Sequence, residues 1–563
     1  MFLSDKHIIM ELKDKVIKME TWSNTYPRPQ FKRDSFYSLN GEWTLNGQNI
    51  IVPYPPQSSL SQYHGEITEQ LQYQKTFTLP SDFYQKDDRI ILHFGAVDQI
   101  AKVSINHHEL GEHQGGYLPF SFDITDFIKE DNNLIVDVID TLSHDYPYGK
   151  QRKDRGGMWY TPVSGIWQTV WIEAVPPLSI ESIKMTPTLS TLHLEVQTKA
   201  PRYQVSITFE RSVFVDIFTE HSIDIEIPEK ERFLWTPEHP YLYSITIASD
   251  TDHIESYFAL RTISIENQQV LLNNQPIFLN GVLDQGYFID GLFLPKGPQG
   301  YLEDIMNMKE LGMNTLRKHI KVEPDIFYYL CDLKGMLVVQ DMVNNGPYHY
   351  YLDTVLPTIG FQYRFDCFPF EQKRKDIFIK HSLETIQYLH NHPAIIIYTI
   401  FNEGWGQFDT NKIYHLLKKT DPSRLYDSAS GWFKKKDNDF ESLHVYFRNK
   451  VLKTKKNKPI FLSECGGYKR FIDNHVFNPL ADYGYGSADS EEELTGMIET
   501  MYKEMVFPSL KNGLCGMIYT QVSDVEDEIN GLYTYDREVC KVNKEKMRSL
   551  AQKVKDYINY EKR

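Results

Sequence analysis

The chain is poor in cysteine and has no long apolar run. Five cysteines (Cys331, Cys367, Cys465, Cys515 and Cys540) are scattered over 563 residues, with no C-x-x-C pair. So odd and dispersed a set argues against a disulfide framework and against structural zinc, and a reducing, cytoplasmic setting is expected. No stretch approaches the roughly 18 apolar residues of a membrane span. The opening MFLSDKHIIMELKDKVIKME is broken by charge every few positions and does not read as a secretion signal. Positive charge is also short: 60 Lys and Arg against 76 Asp and Glu give a formal net charge of −16. That balance disfavours nucleic acid and anionic membranes as partners, and no basic run carries the interleaved aromatics of a nucleic-acid groove. The lysine clusters at 434–436 and 453–458 read as solvated loops.

Aromatic residues are abundant, at 13%. They suit β-sandwich cores and sugar-stacking walls, core packing accounting for most. The length exceeds what one hydrophobic core supports, so several domains are expected. From about 40 to 175, short alternating runs such as RIILHFGAV (89–97), AKVSINHHEL (101–110) and NLIVDVID (133–140) predict an antiparallel sandwich. Pro176-Pro177 then punctuates the chain. The next 90 or so residues, with TLHLEVQT, YQVSITFE and YSITIAS, predict one immunoglobulin-like sandwich. After residue 266 strand-like runs alternate with amphipathic helical ones, as in a (β/α) barrel. Eight strands are placed at 276–284, 314–319, 336–341, 394–403, 425–430, 442–447, 459–464 and 516–521. The gaps after the fifth and sixth are short, so their helices are expected to be degenerate.

In this placement Glu403 ends the fourth barrel strand and Glu464 the seventh, so both project from the face where such barrels do chemistry. Two carboxyl groups flanking one anomeric carbon are what glycoside hydrolysis needs. Glu403 follows the apolar AIIIYTIF, where desolvation would keep a carboxyl protonated, as an acid requires. Glu464 precedes Cys465-Gly466-Gly467, where absent side chains let a sugar approach.

Around these residues stand LNGVLDQGY (279–287), NTLRKHIKVEP (314–324), IFNEGWGQ (400–407) and FLSECGGY (461–468). The first sandwich carries LHFGAVD (92–98), GYLPFSFDIT (116–125) and WYTPVSGIWQTVWIE (159–173). With these motifs the chain resembles glycoside hydrolase family 2, the family of β-galactosidases, β-glucuronidases and β-mannosidases, nearly end to end. The resemblance implies a jelly-roll sugar-binding-type sandwich over 1–176, an immunoglobulin-like sandwich over 177–265 and a catalytic (β/α)8 TIM barrel over 266–563. It implies Glu403 as acid/base, Glu464 as nucleophile and a retaining double displacement. It further implies Asn402 as donor to the sugar 2-hydroxyl. Tyr446 is the candidate for the hydroxyl that orients the nucleophile, with Tyr426 and Tyr468 as alternatives.

Further substrate-binding candidates line the same mouth. Arg317 and His319 end the second strand, and Arg317 could equally form a salt bridge with Asp341. Asp284 and Gln285 end the first strand, where a carboxylate could take two sugar hydroxyls or cap a turn. Trp405 could stack on a sugar or pack in the core. His444, Asp341, Gln521 and Asp524 complete the set. The cluster Asp524, Glu526, Asp527 and Glu528 could be a solvated loop or a cation site.

β-Glucuronidases of the family use an Asn-x-Lys pair near here, whereas Asn530 is followed by Gly531 and Leu532. That absence, with acids around it, disfavours an anionic sugar. The expected activity is that of an exo-acting β-galactosidase-like enzyme on neutral β-linked sugars. Arabinopyranose, glucose and mannose stand behind galactose, and glucuronic acid stands last. No cofactor or metal is expected, and the partner is an oligosaccharide or glycoside, with a homo-oligomer left open. Transglycosylation through the same residues, and a non-catalytic carbohydrate-binding protein on an inactive barrel, are the competing readings.

Overall fold

A computed structural model describes residues 21–359, 361, 371–454 and 456–561. The first sandwich packs a four-stranded sheet (37–38, 170–175, 89–94, 120–123) on a six-stranded one (48–52, 41–45, 70–77, 132–139, 100–105, 108–114). Alternation builds it: in 70–77, Leu71, Tyr73 and Phe77 are buried while Gln70, Gln72 and Gln74 face water. Trp43, Tyr73, Leu92 and Val136 fill the space between the sheets. The second sandwich pairs a three-stranded sheet (180–187, 191–198, 222–226) with a four-stranded one (213–218, 203–208, 243–248, 253–258), closed over Leu194, Val196, Ile207 and Ile245.

The barrel strands are β1 (Leu279–Asp284), β2 (Thr315–Lys318), β3 (Leu337–Asp341), β4 (Ile395–Thr399), β5 (Leu425–Asp427), β6 (Glu441–Val445), β7 (Ile460–Gly466) and β8 (Leu514–Thr520). They run in the order 5-4-3-2-1-8-7-6, parallel throughout. Every residue of β1, β4 and β8 is buried, as expected where helices cover one face and the barrel core the other. All eight expected strands are present, and among the described residues no helix separates β5 from β6 or β6 from β7. Between β5 and β6 the sheet is nearly closed, and side chains bridge the seam: Ser442 Oγ donates to Asp427 Oδ2 at 2.6 Å and Asn438 Nδ2 to Asp427 Oδ1 at 3.0 Å. No helix among the described residues is long and apolar enough to cross a membrane.

The sandwiches meet the barrel at different places. Trp167, Tyr160 and Tyr117 of the first share one continuous apolar core with the barrel. Gly149 lies against the end of β2, where a Cβ would fall 2.9 Å from the Ile320 carbonyl oxygen. At the opposite end of the barrel, Arg261 following the second sandwich donates to Pro393 O and to Ile395 O, the first residue of β4.

Candidate active site

The chemistry-bearing groups converge at the C-terminal ends of the barrel strands. Glu464 lies within β7, whereas Glu403 stands four residues beyond the end of β4. The fourth strand is therefore shorter than its apolar sequence suggests. Asn402 pairs with Ser430 by an isolated bridge, Glu403 N donates to Ser430 O at 3.0 Å, and the chain turns at Glu403 with φ +50°. A left-handed φ is uncommon for a residue with a side chain and is held here by the surrounding bonds.

Arg317 is the hub. Its Nε and Nη2 donate to the two oxygens of Asp341 at 3.0 Å each, Nη2 to Asn402 Oδ1 at 2.9 Å, and Nη1 to Glu464 Oε1 at 3.0 Å. The salt bridge with Asp341 and the role in the mouth are thus one arrangement. Because Asn402 Oδ1 is taken by the guanidinium, its Nδ2 is left as the donor toward the mouth. His319, one residue past β2, meets Asp341 Oδ2 through Nδ1 at 2.9 Å. Asp341 can only accept, so Nδ1 carries the hydrogen and Nε2 is an acceptor. Burial, aided by the charge of Lys150 and opposed by Asp341, lowers the His319 pKa to about 4 and keeps the ring neutral.

Tyr446 donates its hydroxyl to Glu464 Oε2. Tyr426 instead donates to Leu417 O and Asp421 O, away from the mouth. Burial alone would raise the pKa of Glu464, but His444, Arg317, His319 and the Tyr446 hydroxyl outweigh it and hold the carboxyl below the usual range. For Glu403 the balance is reversed: burial, with repulsion from Glu464, pushes it up despite His444 and Lys150. Neighbouring carboxyls are thus driven to opposite protonation states.

His444 sits between them. Its Nδ1 lies 2.8 Å from Glu403 Oε1, and its Nε2 2.8 Å from Ser430 Oγ and 3.5 Å from Glu464 Oε1. Gly431 makes the room, since a Cβ there would fall 2.8 Å from the imidazole Nδ1. Hydroxyl directions then fix the ring. Ser442 donates to Asp427, and Ser463 donates to Ser442 or to Leu443 O. Ser430 therefore donates to Ser463 and accepts from His444 Nε2–H. With one ring hydrogen, Nδ1 is bare and faces Glu403 as an acceptor, which is the partner a protonated carboxyl needs.

Gln285 and Gln521 reach the mouth but bind each other at 2.7 Å, and Gln521 donates to Asn530 at 2.9 Å. Trp405 is buried at the rim, its ring 5.3 Å from that of Trp159 and 5.6 Å from that of Tyr348. Two expected sugar ligands are not brought in. Asp284 is turned toward the helical layer, where Lys318 takes Oδ2 at 2.7 Å and Gly286 N–H takes Oδ1 at 2.8 Å. Asp524 Oδ1 accepts from Lys541 and from Gly531 N. Such pairings tie Asp284 into the fold through both oxygens and Asp524 through one, its Oδ2 being buried without a partner. Nor are the acids beyond β8 a solvated run: Glu526 faces Arg155 and Thr161 N, Asp527 meets Arg155 and Asn478, and Glu528 accepts from Tyr160 and Asn530. Arg155 and Lys541 offset part of this negative charge, while Glu528 is held by neutral donors alone.

Residues 36–176 match the model "Glycosyl hydrolases family 2, sugar binding domain", and residues 263–505 match "Glycosyl hydrolases family 2, TIM barrel domain". The chain belongs to glycoside hydrolase family 2. Among curated relatives, a β-galactosidase of Thermoanaerobacter pseudethanolicus is 25% identical over 385 residues, covering 62% of this chain and 48% of its own length. A β-galactosidase of Vibrio cholerae is 25% identical over 400 residues, covering 64% and 36%. This family 2 chain thus spans half or less of the length of these relatives. Among solved structures, a β-D-glucuronidase of Dictyoglomus thermophilum superposes with TM-score 0.73 at 19% identity, over 94% of this chain and 98% of the other. A family 2 β-galacturonidase of Eisenbergiella tayi gives 0.68 at 19%, over 95% and 99%.

Sequence reasoning missed much of what surrounds the pair. Ser430 and Ser463, which orient His444, are small polar residues with no distinguishing pattern. Trp159 and Tyr160 lie in a recognised motif but were not assigned to the mouth.

Proposed function

We propose that the chain is a retaining exo-β-glycosidase in which Glu464 attacks the anomeric carbon and Glu403 serves as acid, then base. The observation that carries this reading is the spacing of the pair: one oxygen from each carboxyl, with a nitrogen of His444, lies within 4.8 Å of the others. Retaining enzymes hold their carboxyls about 5–5.5 Å apart, while inverting ones need about 6.5–9.5 Å to admit water. In the first step a Glu464 oxygen bonds to the anomeric carbon as the glycosidic C–O bond breaks, and Glu403 gives its proton to the departing oxygen. In the second, Glu403 takes a proton from water, the water oxygen bonds to the anomeric carbon, and the ester to Glu464 breaks. Asn402 Nδ2 is positioned as donor to the 2-hydroxyl, and His319 Nε2 as an acceptor for another.

A galactose-configured glycone is the first substrate to test, in keeping with the names of the curated relatives. Initial rates on a panel of p-nitrophenyl glycosides test the reading, with the β-galactoside expected to lead the neutral members. A panel with no turnover of any β-linked member rejects it, and supports the carbohydrate-binding alternative if oligosaccharide still binds. Product analysis separates hydrolysis from transfer to another acceptor.

A further inference from the structure

The first sandwich places one uncompensated cation at the mouth. Lys150 is only 7% exposed, yet its ammonium makes no hydrogen bond and has no carboxylate within the 4.0 Å of an ion pair among the described residues. The other buried cations of this end are all paired: Arg317 with Asp341 and Glu464, Lys318 with Asp284 and Glu323, Lys321 with Glu323, Lys541 with Asp524. Lys150 is held by its backbone, its carbonyl accepting from Tyr160 N at 3.0 Å, next to the Gly149 contact on β2. Its Nζ lies 5.2 Å from the ring centre of Trp405 and 5.8 Å from that of Tyr160. Trp405 follows the acid/base by two positions, and its own buried Nε1–H is without an acceptor.

Lysine and indole nitrogens can only donate. Ring faces attract an ammonium, and a largely covered charge with no carboxylate beside it gains further when an anion meets it. A sugar hydroxyl would accept a hydrogen bond there and leave the charge uncompensated. We infer that Lys150 is a specificity-determining residue that reads an anionic oxygen group, a carboxylate above all, on the glycoside. This deepens the glycosidase reading and rests on it for turnover, though not for binding. It also places recognition of an acid on the sandwich, independent of the loop after β8, where a lysine is missing.

The test compares substrates differing only in charge. In one arm, p-nitrophenyl β-D-galacturonide is set against the β-D-galactoside; in the other, a galactoside with a uronate aglycone against one with a neutral aglycone. Wild type is expected to favour the anionic member of one pair at least tenfold in kcat/KM, and the arm that responds tells which side of the bond carries the charge. Lys150→Met should lower that ratio about a hundredfold, mainly through KM, and Lys150→Arg should recover part of it. Ratios unmoved in both arms, with only a shared shift of the pH profile, would mean that Lys150 acts on Glu403 alone and would overturn the inference. Titration of galacturonate and glucuronate, each against its neutral sugar, into Glu464→Gln protein with and without Lys150→Met separates the two proposals. Lysine-dependent uronate binding without turnover sinks the mechanism and keeps the subsite. Turnover of neutral glycosides with no lysine-dependent preference does the reverse.

Discussion

The two sandwiches are built alike and serve the barrel differently. The first inserts Lys150, Trp159 and Tyr160 among the residues of the mouth, Tyr160 bonding Glu528 beyond β8 and Trp159 packing on Trp405. The second grips the other end: Trp235 Nε1 donates to Asp332 O at 2.8 Å, Tyr257 to the Asp332 side chain at 2.8 Å, and Met185 N to Asn391 at 2.8 Å. The barrel groups it grips include His392, clamped between Asp325 and Asp332 at 2.5 and 2.6 Å, with Tyr257 bonded to the same Asp332. The same architecture thus supplies side chains to the mouth at one end and a buttress at the other. Substitutions at the mouth should cost activity and spare stability, and those at the base should do the opposite.

The largest expected effect is at Glu464. Glu464→Ala should lower kcat by about 10⁴-fold or more while leaving the melting temperature near that of wild type. Azide should then restore turnover as a glycosyl azide of inverted configuration. Wild-type turnover in the variant would remove the nucleophile assignment, and a large loss of stability would break the separation of the two ends. The pH profile sharpens the same point. Glu464 must be ionised and is held low, so activity should persist below the usual carboxylate range. Glu403 must be protonated and is held high, so the alkaline limb should lie above that range. Arg317→Lys, which loses the bidentate fork, should move the acid limb upward.

At the base, His392→Ala should destabilise by about 3–5 kcal/mol, leaving two buried carboxylates without their cation, and leave kcat per folded molecule close to wild type. Burial opposes the charge of His392, but Asp332 and Asp325 outweigh it and raise the pKa to about 9. A folded value above the unfolded one, near 6.5, means this stabilisation is complete below about pH 6.5 and declines as pH rises through about 9. The span is worth about 3 kcal/mol, and denaturant midpoints measured from pH 6 to 10 would show it in wild type and not in the variant.

Tyr160→Phe tests the first sandwich's share of the mouth. It leaves Glu528 short of a buried donor and should lower kcat/KM by about tenfold, a loss of about 1.4 kcal/mol. An unchanged value would make that sandwich a spacer like the second. The smallest effect belongs to the surface. Lys32→Ala removes a half-exposed pair with Glu255 and should change stability by less than about 1 kcal/mol.

The fold was legible because its periodicities are clean: alternation in both sandwiches, and buried strands alternating with amphipathic helices in the barrel. The two glutamates were legible because short motifs mark them. What escaped is what depends on distant pairing. Asp284 reads as a mouth carboxylate until Lys318 is seen beside it, and the acids after β8 read as a charged run until Arg155, Tyr160 and Lys541 arrive from elsewhere. The end of β4 was misplaced because IIIYTIF is apolar past the point where the backbone leaves the sheet. Burial beyond a strand end carries the same sequence signature as the strand.

The row of serines behind His444 links matters that are usually separate. Asp427 and Ser442 hold the barrel shut between β5 and β6, and the hydrogen that Ser442 points at Asp427 bears, through Ser463 and Ser430, on which imidazole nitrogen carries the ring hydrogen. Reversing the hydroxyls of this row would put the ring hydrogen on Nδ1, facing Glu403, in place of a bare nitrogen. The closure of this barrel and the tautomer of the ring beside Glu403 thus share one row of side chains.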